Sequence, residues 1–390
     1  MDERFGELIM RHKAKRKGTW LDRLPSDLFG SDAFVQYQST YVWQANQVGH
    51  FAIGLIASSL SSWIFRALEW SDCAFYILCA TCVVAYAAKE FLDLKIAKHQ
   101  AEDLFELNMR ELWEDMAADT WFVGSGVITG AAAHANPYYA VIAFFLSALA
   151  FTVLRSVFLP AKRSIDRAAL PYMFRLCNFP GTCGVNKTNV TRIEAFIAGK
   201  NIGGFDDSQA ILIQGYRGTG KTTLAVGIGS EIALRRKKNH GYGRVLYMTA
   251  FNLFERGTPE RRGKKRSIKR WTPRILGSGD PWTLECTDVL IIDDVDSDND
   301  VYGGSSPSEI MEKLQAQRGL CKLLKSKKTV WVTGSSEFEC EKAAHGWSAW
   351  LEALSKFYGE EVDKTRNGGK PEDVKTREPI PVIWLRQPLE

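Results

Sequence analysis

The sequence has no Cys/His spacing of the kind that binds zinc. Three of its eight cysteines, Cys73, Cys79 and Cys82, lie in an apolar stretch, and the remainder are scattered without Cys-x-x-Cys spacing. We therefore expect reduced, structural cysteines. The net charge is only +5 over 390 residues, which by itself does not indicate nucleic-acid binding. Any such function must depend on local clusters of charge.

Charges are also scarce in four apolar segments that lie between residues 50 and 158. The first two are about the length needed to cross a hydrocarbon core of roughly 30 Å. The third is shorter and rich in Gly and Ala, which allow close helix packing in lipid. Buried core helices of a soluble domain are the alternative, but these rarely come as two tight hairpins. We expect transmembrane helices at about residues 50–68, 70–88, 121–135 and 138–158.

The ionisable residues of these segments lie near the segment ends, so a single subunit offers no polar conduction path. They are Arg66, Asp72, His134 and Arg155.

Lys and Arg cluster before the first apolar segment and after the last, while the short turns within each pair carry almost no charge. No cleavable signal follows the basic run near the N-terminus. The positive-inside rule then places both termini in the cytoplasm. We expect an integral, multi-pass protein of a bacterial inner membrane, with a cytoplasmic segment at residues 1–46 and a transmembrane domain at 47–159. The clustered cations are Lys13, Lys15, Arg16, Lys17, Lys162, Arg163, Arg167 and Arg175.

Residues 89–119, between the two hairpins, carry apolar side chains at helical spacing among alternating charges. This pattern predicts an amphipathic cytoplasmic helix. It could pack on the following domain, bind a neighbouring subunit, or simply extend the second transmembrane helix into solvent. Over residues 160–204 Pro, Gly and Asn interrupt short apolar runs, and we expect a linker there.

The clearest motif is GYRGTGKT, which fits the phosphate-loop pattern G-x-x-x-x-G-K-[ST]. The apolar run at 210–214 predicts a strand before it, and residues 223–234 predict a helix after it. Backbone N–H groups of such a loop cradle phosphates, while Lys221 reaches the β- and γ-phosphates and Thr222 binds Mg²⁺. The predicted nucleotide-binding residues are Gly215, Tyr216, Arg217, Gly218, Thr219, Gly220, Lys221, Thr222 and Thr223.

Two later apolar runs end in polar residues, as strands of a parallel sheet do where they face a ligand crevice. The run DVLIIDD ends in two acids: we expect Asp293 to orient the Mg²⁺ shell and Asp294 to polarise the attacking water. The run TVWVT leads into Gly-Ser-Ser-Glu, where Thr333 or Ser335 could contact the γ-phosphate or that water. An ordinary turn after a core strand is the alternative at both places.

The order of the phosphate loop, RVLYMTAFNLF, DVLIIDDVDSD and KKTVWVTGSSEF resembles the AAA+ branch that contains bacterial replication initiators, helicase loaders and transposition ATPases. The resemblance covers roughly residues 200–350. It implies that Asp293 and Asp294 are the two acids of that branch's metal-binding strand. It also implies that Ser335 occupies the first sensor position, where the family more often has Asn or Asp. Membrane NTPases of the KAP type are a second relative, although their spans are usually inserted within the NTPase domain.

The resemblance further implies ATP hydrolysis, with nucleotide bound at the subunit boundaries of a homo-oligomer. The chain has no evident NKxD-type guanine motif. We expect an α/β P-loop NTPase domain at residues 205–357, a parallel sheet with helices on both faces, besides the all-α transmembrane domain. Residues 358–390 are polar and irregular and predict a C-terminal extension rather than a full helical lid. No arginine finger or second sensor can be placed.

A basic insert, residues 255–274, separates the second predicted strand from the acidic run. Clustered cations beside Trp271 are what a polyanion-binding loop would use. Nucleic acid, anionic lipid and a solvated loop without a ligand are the three interpretations. The predicted polyanion contacts are Arg261, Arg262, Lys264, Lys265, Arg266, Lys269 and Arg270.

From these features we expect a membrane-anchored ATPase that remodels or translocates a macromolecule, possibly nucleic acid or a protein partner, at the cytoplasmic face. A nucleotide-gated oligomeric membrane effector and a scaffold that binds ATP without turnover are the alternatives.

Overall fold

A computed structural model describes residues 39–100, 104–105, 109–172, 174–179, 185–202, 208–216, 218–237, 241–250, 252–253, 281–293, 295, 307–335, 340–359 and 380–385. The chain divides into two compact units between Lys162 and Arg163. We call the part before this boundary the helical unit and the part from Arg163 onward the sheet unit.

The helical unit is built from long helices. They are Ser39–Ala67 (α1), Asp72–Gln100 (α2), Met109–Ala135 (α3) and Pro137–Arg167 (α4), the last of which ends inside the sheet unit. Three helices are long and apolar enough to cross a membrane: Trp43–Ala67 within α1, Asp72–Ile96 within α2, and α4. The remaining predicted span, residues 121–135, is the apolar second half of α3, whose first half carries charges.

Helices α1 and α3 pack against each other through small residues. A Cβ atom on Gly54 would overlap the carbonyl oxygen of Val123, and one on Gly126 would overlap the carbonyl oxygen of Phe51. This close approach is what Gly residues permit between helices in lipid. From Gln47–Asp119 through Ser58–Gly130 to Ser62–His134 the contacts advance in the same chain direction on both helices, so α1 and α3 are parallel neighbours.

Polar side chains join the helices near the start of α1. The amide of Gln47 donates a 2.7 Å hydrogen bond to Asp119, and His50 Nε2 lies 3.4 Å from the same carboxylate. The other ring nitrogen of His50 is 2.7 Å from the hydroxyl of Tyr86. Side chains of α1, α2 and α3 therefore meet in one cluster at this end.

A second cluster lies at the other end of the same helices. His134 Nδ1 is 2.7 Å from Ser62 Oγ, and His134 Nε2 is 3.0 Å from a carboxylate oxygen of Asp72. Arg66 donates a 2.7 Å hydrogen bond to the carbonyl oxygen of His134. Three of the ionisable residues that the sequence places near the segment ends are thus in mutual contact.

The prediction of one amphipathic helix over residues 89–119 is wrong. Residues 89–100 continue α2, and residues 109–119 begin α3. Helical periodicity is present on both sides of a chain reversal, and periodicity does not show where the reversal falls. For residues 89–100, one of the alternatives given above is correct, because this segment extends the second apolar helix.

The strands of the sheet unit alternate with helices along most of the chain. The strands are Ala210–Tyr216 (β1), Arg236–Lys237 (β2), Gly241–Tyr242 (β3), Val245–Thr249 (β4), Val289–Asp293 (β5), Lys328–Ser335 (β6) and Val382–Leu385 (β7). The helices are the 3-10 turn Leu176–Asn178, Lys187–Ala198 (α5), Lys221–Leu234 (α6), Pro307–Ala316 (α7), Arg318–Lys325 (α8) and Cys340–Gly359 (α9).

Five strands form one parallel sheet in the order β4-β5-β6-β1-β7, and β2 pairs with β3 in a separate antiparallel ribbon. Helix α6 covers one face, where Gly229 lies against Ile291 and Val245. Side chains of α7, α8 and α9 cover the other face around the fully buried Trp331 and Leu354. The predicted α/β architecture, a parallel sheet with helices on both faces, is confirmed.

The predicted linker at residues 160–204 is instead part of the folded sheet unit. The carbonyl oxygen of Ala168 accepts a 2.9 Å hydrogen bond from the backbone N–H of Tyr247 on edge strand β4. Arg175 forms a 2.7 Å ion pair with Glu231 of α6. Because its apolar residues are short runs between Pro and Gly, the sequence does not reveal that the segment packs along β4 and α6.

The C-terminal extension predicted at residues 358–390 also contributes to the sheet. Strand β7 adds a parallel strand beside β1, with Ile383 opposite Ile213 and almost wholly buried. The strand has only four residues, which are too few to show the alternation of a strand, and its flanking sequence is polar. The sequence pattern therefore does not predict it.

Candidate functional site

The segment between β1 and α6 has the backbone of a tight loop that needs glycine. Gly218 and Gly220 have φ values of 87° and 88°, in the left-handed region where a side chain is disfavoured. A Cβ atom on Gly215 would come within 2.6 Å of the carbonyl oxygen of Leu385 in β7. The glycine positions of the sequence motif therefore coincide with steric requirements of this loop.

The loop is held together by its own side chains. Lys221, the first residue of α6, donates a 2.6 Å hydrogen bond to the carbonyl oxygen of Tyr216. Thr219 donates to the same oxygen over 2.9 Å. The free N–H groups at the start of a helix carry partial positive charge, and Lys221 adds a full charge there, which suits an anion.

Next along α6, Thr222 is half-buried and Thr223 is buried. The hydroxyl of Thr223 lies 2.9 Å from the hydroxyl of Tyr172, in the segment that follows α4. Burial raises the pKa of Tyr172 to about 12, the hydrogen bond to Thr223 opposes this rise, and the negative charge of Asp293 adds to it. Tyr172 is therefore a neutral hydroxyl near both predicted metal-binding elements.

Asp293 ends β5 and is almost completely buried. Its carboxylate accepts a 2.5 Å hydrogen bond from the hydroxyl of Tyr247 on the neighbouring strand β4. Both strands run parallel to β1, so Asp293 and the loop lie at the same carboxyl edge of the sheet.

Thr333 lies on β6, between the loop strand and the acid strand, in register with Gln214. Its side chain is buried, and its hydroxyl has no hydrogen-bond partner among the residues that the structure describes. A buried hydroxyl without a partner is unfavourable, so this position at the sheet edge suits a polar ligand. The backbone of Ser335 pairs with that of Tyr216.

The residue types fit a magnesium–nucleotide complex better than a metal bound by protein alone. Within the described part of the chain, no group of three or more His, Cys, Asp or Glu side chains could hold a metal ion. Mg²⁺ in nucleotide sites is held by one or two protein oxygens, by phosphates and by water. The hydroxyl of Thr222 and the carboxylate of Asp293 are groups of this kind.

Several predicted residues lie outside the described residues. They are Arg217, Asp294 and the polyanion contacts Arg261, Arg262, Lys264, Lys265, Arg266, Lys269 and Arg270. Conversely, the sequence did not single out Tyr172 or Tyr247, which contact predicted site residues. Tyrosine is common in core strands and loops, and no local spacing marks either residue.

The chain matches no protein-family model, and no curated protein matches it in sequence.

Proposed function

We propose that this chain is a membrane-anchored ATPase that couples ATP binding and hydrolysis to the remodelling or translocation of a macromolecule. The observation that carries the proposal is the left-handed glycine loop at the start of α6, at the same sheet edge as the buried carboxylate of Asp293. Glycines, a cation, hydroxyls and a carboxylate at one edge are the groups that bind a magnesium–nucleotide complex.

Each group has a defined task in this proposal. Loop N–H groups and Lys221 bind the phosphates, while Thr222 and Asp293 bind Mg²⁺, which supplies charge neutralisation at the transferred phosphoryl group. Thr333, with its unpartnered hydroxyl, orients the attacking water or the γ-phosphate. Asp294 polarises that water, and Ser335 is a further candidate for the same contact.

Strand β6, which carries the predicted sensor position Ser335, lies between strand β1 and the acid strand β5. The three strands that carry predicted site residues are therefore neighbours in the sheet, which supports a common nucleotide site. The resemblance to the AAA+ branch further implies a homo-oligomer with nucleotide at subunit boundaries.

The geometry of the helical unit supports four membrane crossings. Helix α3 runs parallel to α1 over the same length, from the Gln47–Asp119 contact to the Ser62–His134 contact. Wherever α1 crosses the bilayer, α3 crosses beside it, partly shielded from lipid by its neighbours. With α2 and α4, the number of crossings would be even, so both termini and the sheet unit would lie on the same side of the membrane. The cations clustered before α1 and at the end of α4 favour the cytoplasmic side.

The test is nucleotide turnover by the full chain in detergent, with Lys221→Ala as the variant and Lys322→Ala, an exposed lysine of α8, as the matched control. We expect Mg²⁺-dependent ATP hydrolysis that falls by about 100-fold or more in Lys221→Ala and is unchanged in Lys322→Ala. Tight ATP binding without turnover, in the presence of DNA, RNA or anionic lipid, would refute the motor and favour the effector or the scaffold. Leakage of ions across the membrane of cells that express the chain would then favour the membrane effector, and its absence would favour the scaffold.

A further inference from the structure

The best-fixed contact at the predicted metal site is between two residues that lie far apart in sequence. Tyr247 on β4 donates a 2.5 Å hydrogen bond to Oδ2 of Asp293 on β5. The two strands are adjacent and parallel, with Tyr247 in register with Ile291 and Thr249 in register with Asp293. The phenol ring bridges this two-residue offset, so its hydroxyl reaches the carboxylate at the strand end.

The backbone of Tyr247 is fixed from both sides. Its strand pairs with β5 on one side, and on the other its N–H donates a 2.9 Å hydrogen bond to Ala168. Because β4 is an edge strand, this bond to the segment after α4 replaces the strand that is absent there. The phenol hydroxyl is thus held by a backbone that cannot shift along the sheet without breaking hydrogen bonds on both edges.

A carboxylate that binds Mg²⁺ must present one oxygen in a fixed direction. Asp293 is almost completely buried, and a buried carboxylate is destabilising unless hydrogen-bond donors satisfy it. The hydrogen bond from Tyr247 engages Oδ2 and thereby restricts rotation of the carboxylate about its Cβ–Cγ bond. Partners of this kind orient metal ligands, and their loss typically costs 10- to 100-fold in metal affinity.

We propose that Tyr247 is a positioning residue that orients the Asp293 carboxylate for the Mg²⁺ of the nucleotide complex. The inference rests on the proposed function, since it assigns a role within the same site. In this role Tyr247 acts through Asp293 rather than by its own contact with nucleotide or metal.

The experiment measures ATP turnover of the full chain as a function of Mg²⁺ concentration, together with nucleotide affinity in EDTA. Tyr247→Phe removes the hydroxyl and keeps the ring. Tyr358→Phe is the matched control, because it also removes a buried phenol hydroxyl, which is bonded to Thr329 near the opposite edge of the sheet. We expect Tyr247→Phe to raise the half-maximal Mg²⁺ concentration for turnover by about 10- to 100-fold. Tyr358→Phe should leave that concentration unchanged, and neither variant should alter the nucleotide affinity in EDTA.

A double variant separates positioning from a general loss of structure. If Tyr247 acts through the carboxylate, adding Tyr247→Phe to Asp293→Asn produces no further change in the Mg²⁺ midpoint, whereas independent effects would add. A wild-type midpoint in Tyr247→Phe, or additive effects in the double variant, would overturn the inference and leave the ATPase intact. Absence of turnover in the unaltered chain would overturn the proposed function and this inference with it.

Discussion

The side-chain ammonium of Lys221 is hydrogen-bonded over 2.6 Å to the backbone carbonyl oxygen of Tyr216, five residues earlier in the same loop. The ammonium group of Lys221, which is expected to bind phosphate, thus joins the two ends of the loop by a hydrogen bond. A phosphate oxygen is a stronger acceptor than a neutral carbonyl, because charge-assisted hydrogen bonds between ionised partners are about twice as strong. In the proposed site, a bound nucleotide would replace the carbonyl oxygen of Tyr216 by a phosphate oxygen as a partner of Lys221.

Replacement of Gly218 should weaken nucleotide binding. Gly218→Ala forces a side chain into the left-handed region at φ 87°, at a cost of roughly 1–2 kcal/mol, which corresponds to about 5- to 30-fold in affinity. Gly319→Ala in α8 is the control, because a Cβ atom there meets nothing within 4 Å. Titration with a fluorescent ATP analogue measures both, and equal affinities in the two variants would contradict the assigned loop conformation.

Close packing of α1 on α3 should make the helical unit sensitive to one methyl group. Gly126→Ala places a Cβ atom on the carbonyl oxygen of Phe51, and overpacking of this kind costs typically 1–3 kcal/mol. In Gly124→Ala, two residues earlier in α3, the nearest atom is a Val83 methyl at 3.8 Å. Thermal unfolding in detergent should therefore occur at lower temperature for Gly126→Ala than for Gly124→Ala, and equal midpoints would contradict the parallel α1–α3 contact.

The C-terminal strand should be necessary for the fold of the sheet unit. Ile383→Asp buries a carboxylate beside β1, where burial of an unpaired charge costs several kcal/mol. Lys356→Asp, at an exposed position of α9, introduces the same residue without burying it. We expect limited proteolysis to degrade the sheet unit of the first variant only. Wild-type resistance of Ile383→Asp would mean that β7 is dispensable.

Tyr358 should make the sheet unit less stable in alkali. Burial raises the pKa of Tyr358 to about 12, while hydrogen bonds with Thr329 and Trp331 oppose the rise. Between pH 10 and 12 the unfolded chain loses this proton and the folded chain keeps it, so the contribution is complete below pH 10 and declines toward pH 12. The contribution amounts to about 3 kcal/mol. Urea unfolding should show a shallower alkaline decline in Tyr358→Phe, and parallel curves would contradict the shift.

Substitutions in the basic insert, residues 255–274, should show which of two polyanions it binds, nucleic acid or anionic lipid. Replacing its seven predicted contacts by Gln should weaken single-stranded DNA binding and reduce the slope of log affinity against log salt by about 0.7 per lost phosphate contact. Binding to vesicles with and without phosphatidylserine is measured in parallel. Loss of vesicle binding alone would assign the insert to lipid, and no change in either assay would leave it as a solvated loop.

Much of the sheet unit could be predicted because its signals are local. The strand before the phosphate loop, the helix after it and the acid strand each follow from apolar runs and turn residues within about ten positions. Residues 89–119 show the limit of such local signals. Their helical spacing of apolar residues belongs to two successive helices, and the spacing does not show where the first ends and the second begins. The segment 160–204 and β7 were missed for the opposite reason: their runs are too short to show a period.

The sequence by itself determined the apolar helices, the glycines of the loop before α6 and the acid that ends β5, because backbone sterics and hydrophobic periodicity act between near neighbours. Only the tertiary structure decided the strand order, the parallel contact of α1 with α3, and the hydrogen bond from Tyr247 to Asp293 across 46 residues of chain. Such contacts depend on which strands become neighbours in the sheet. Strand pairing is a property of the whole core rather than of any local pattern.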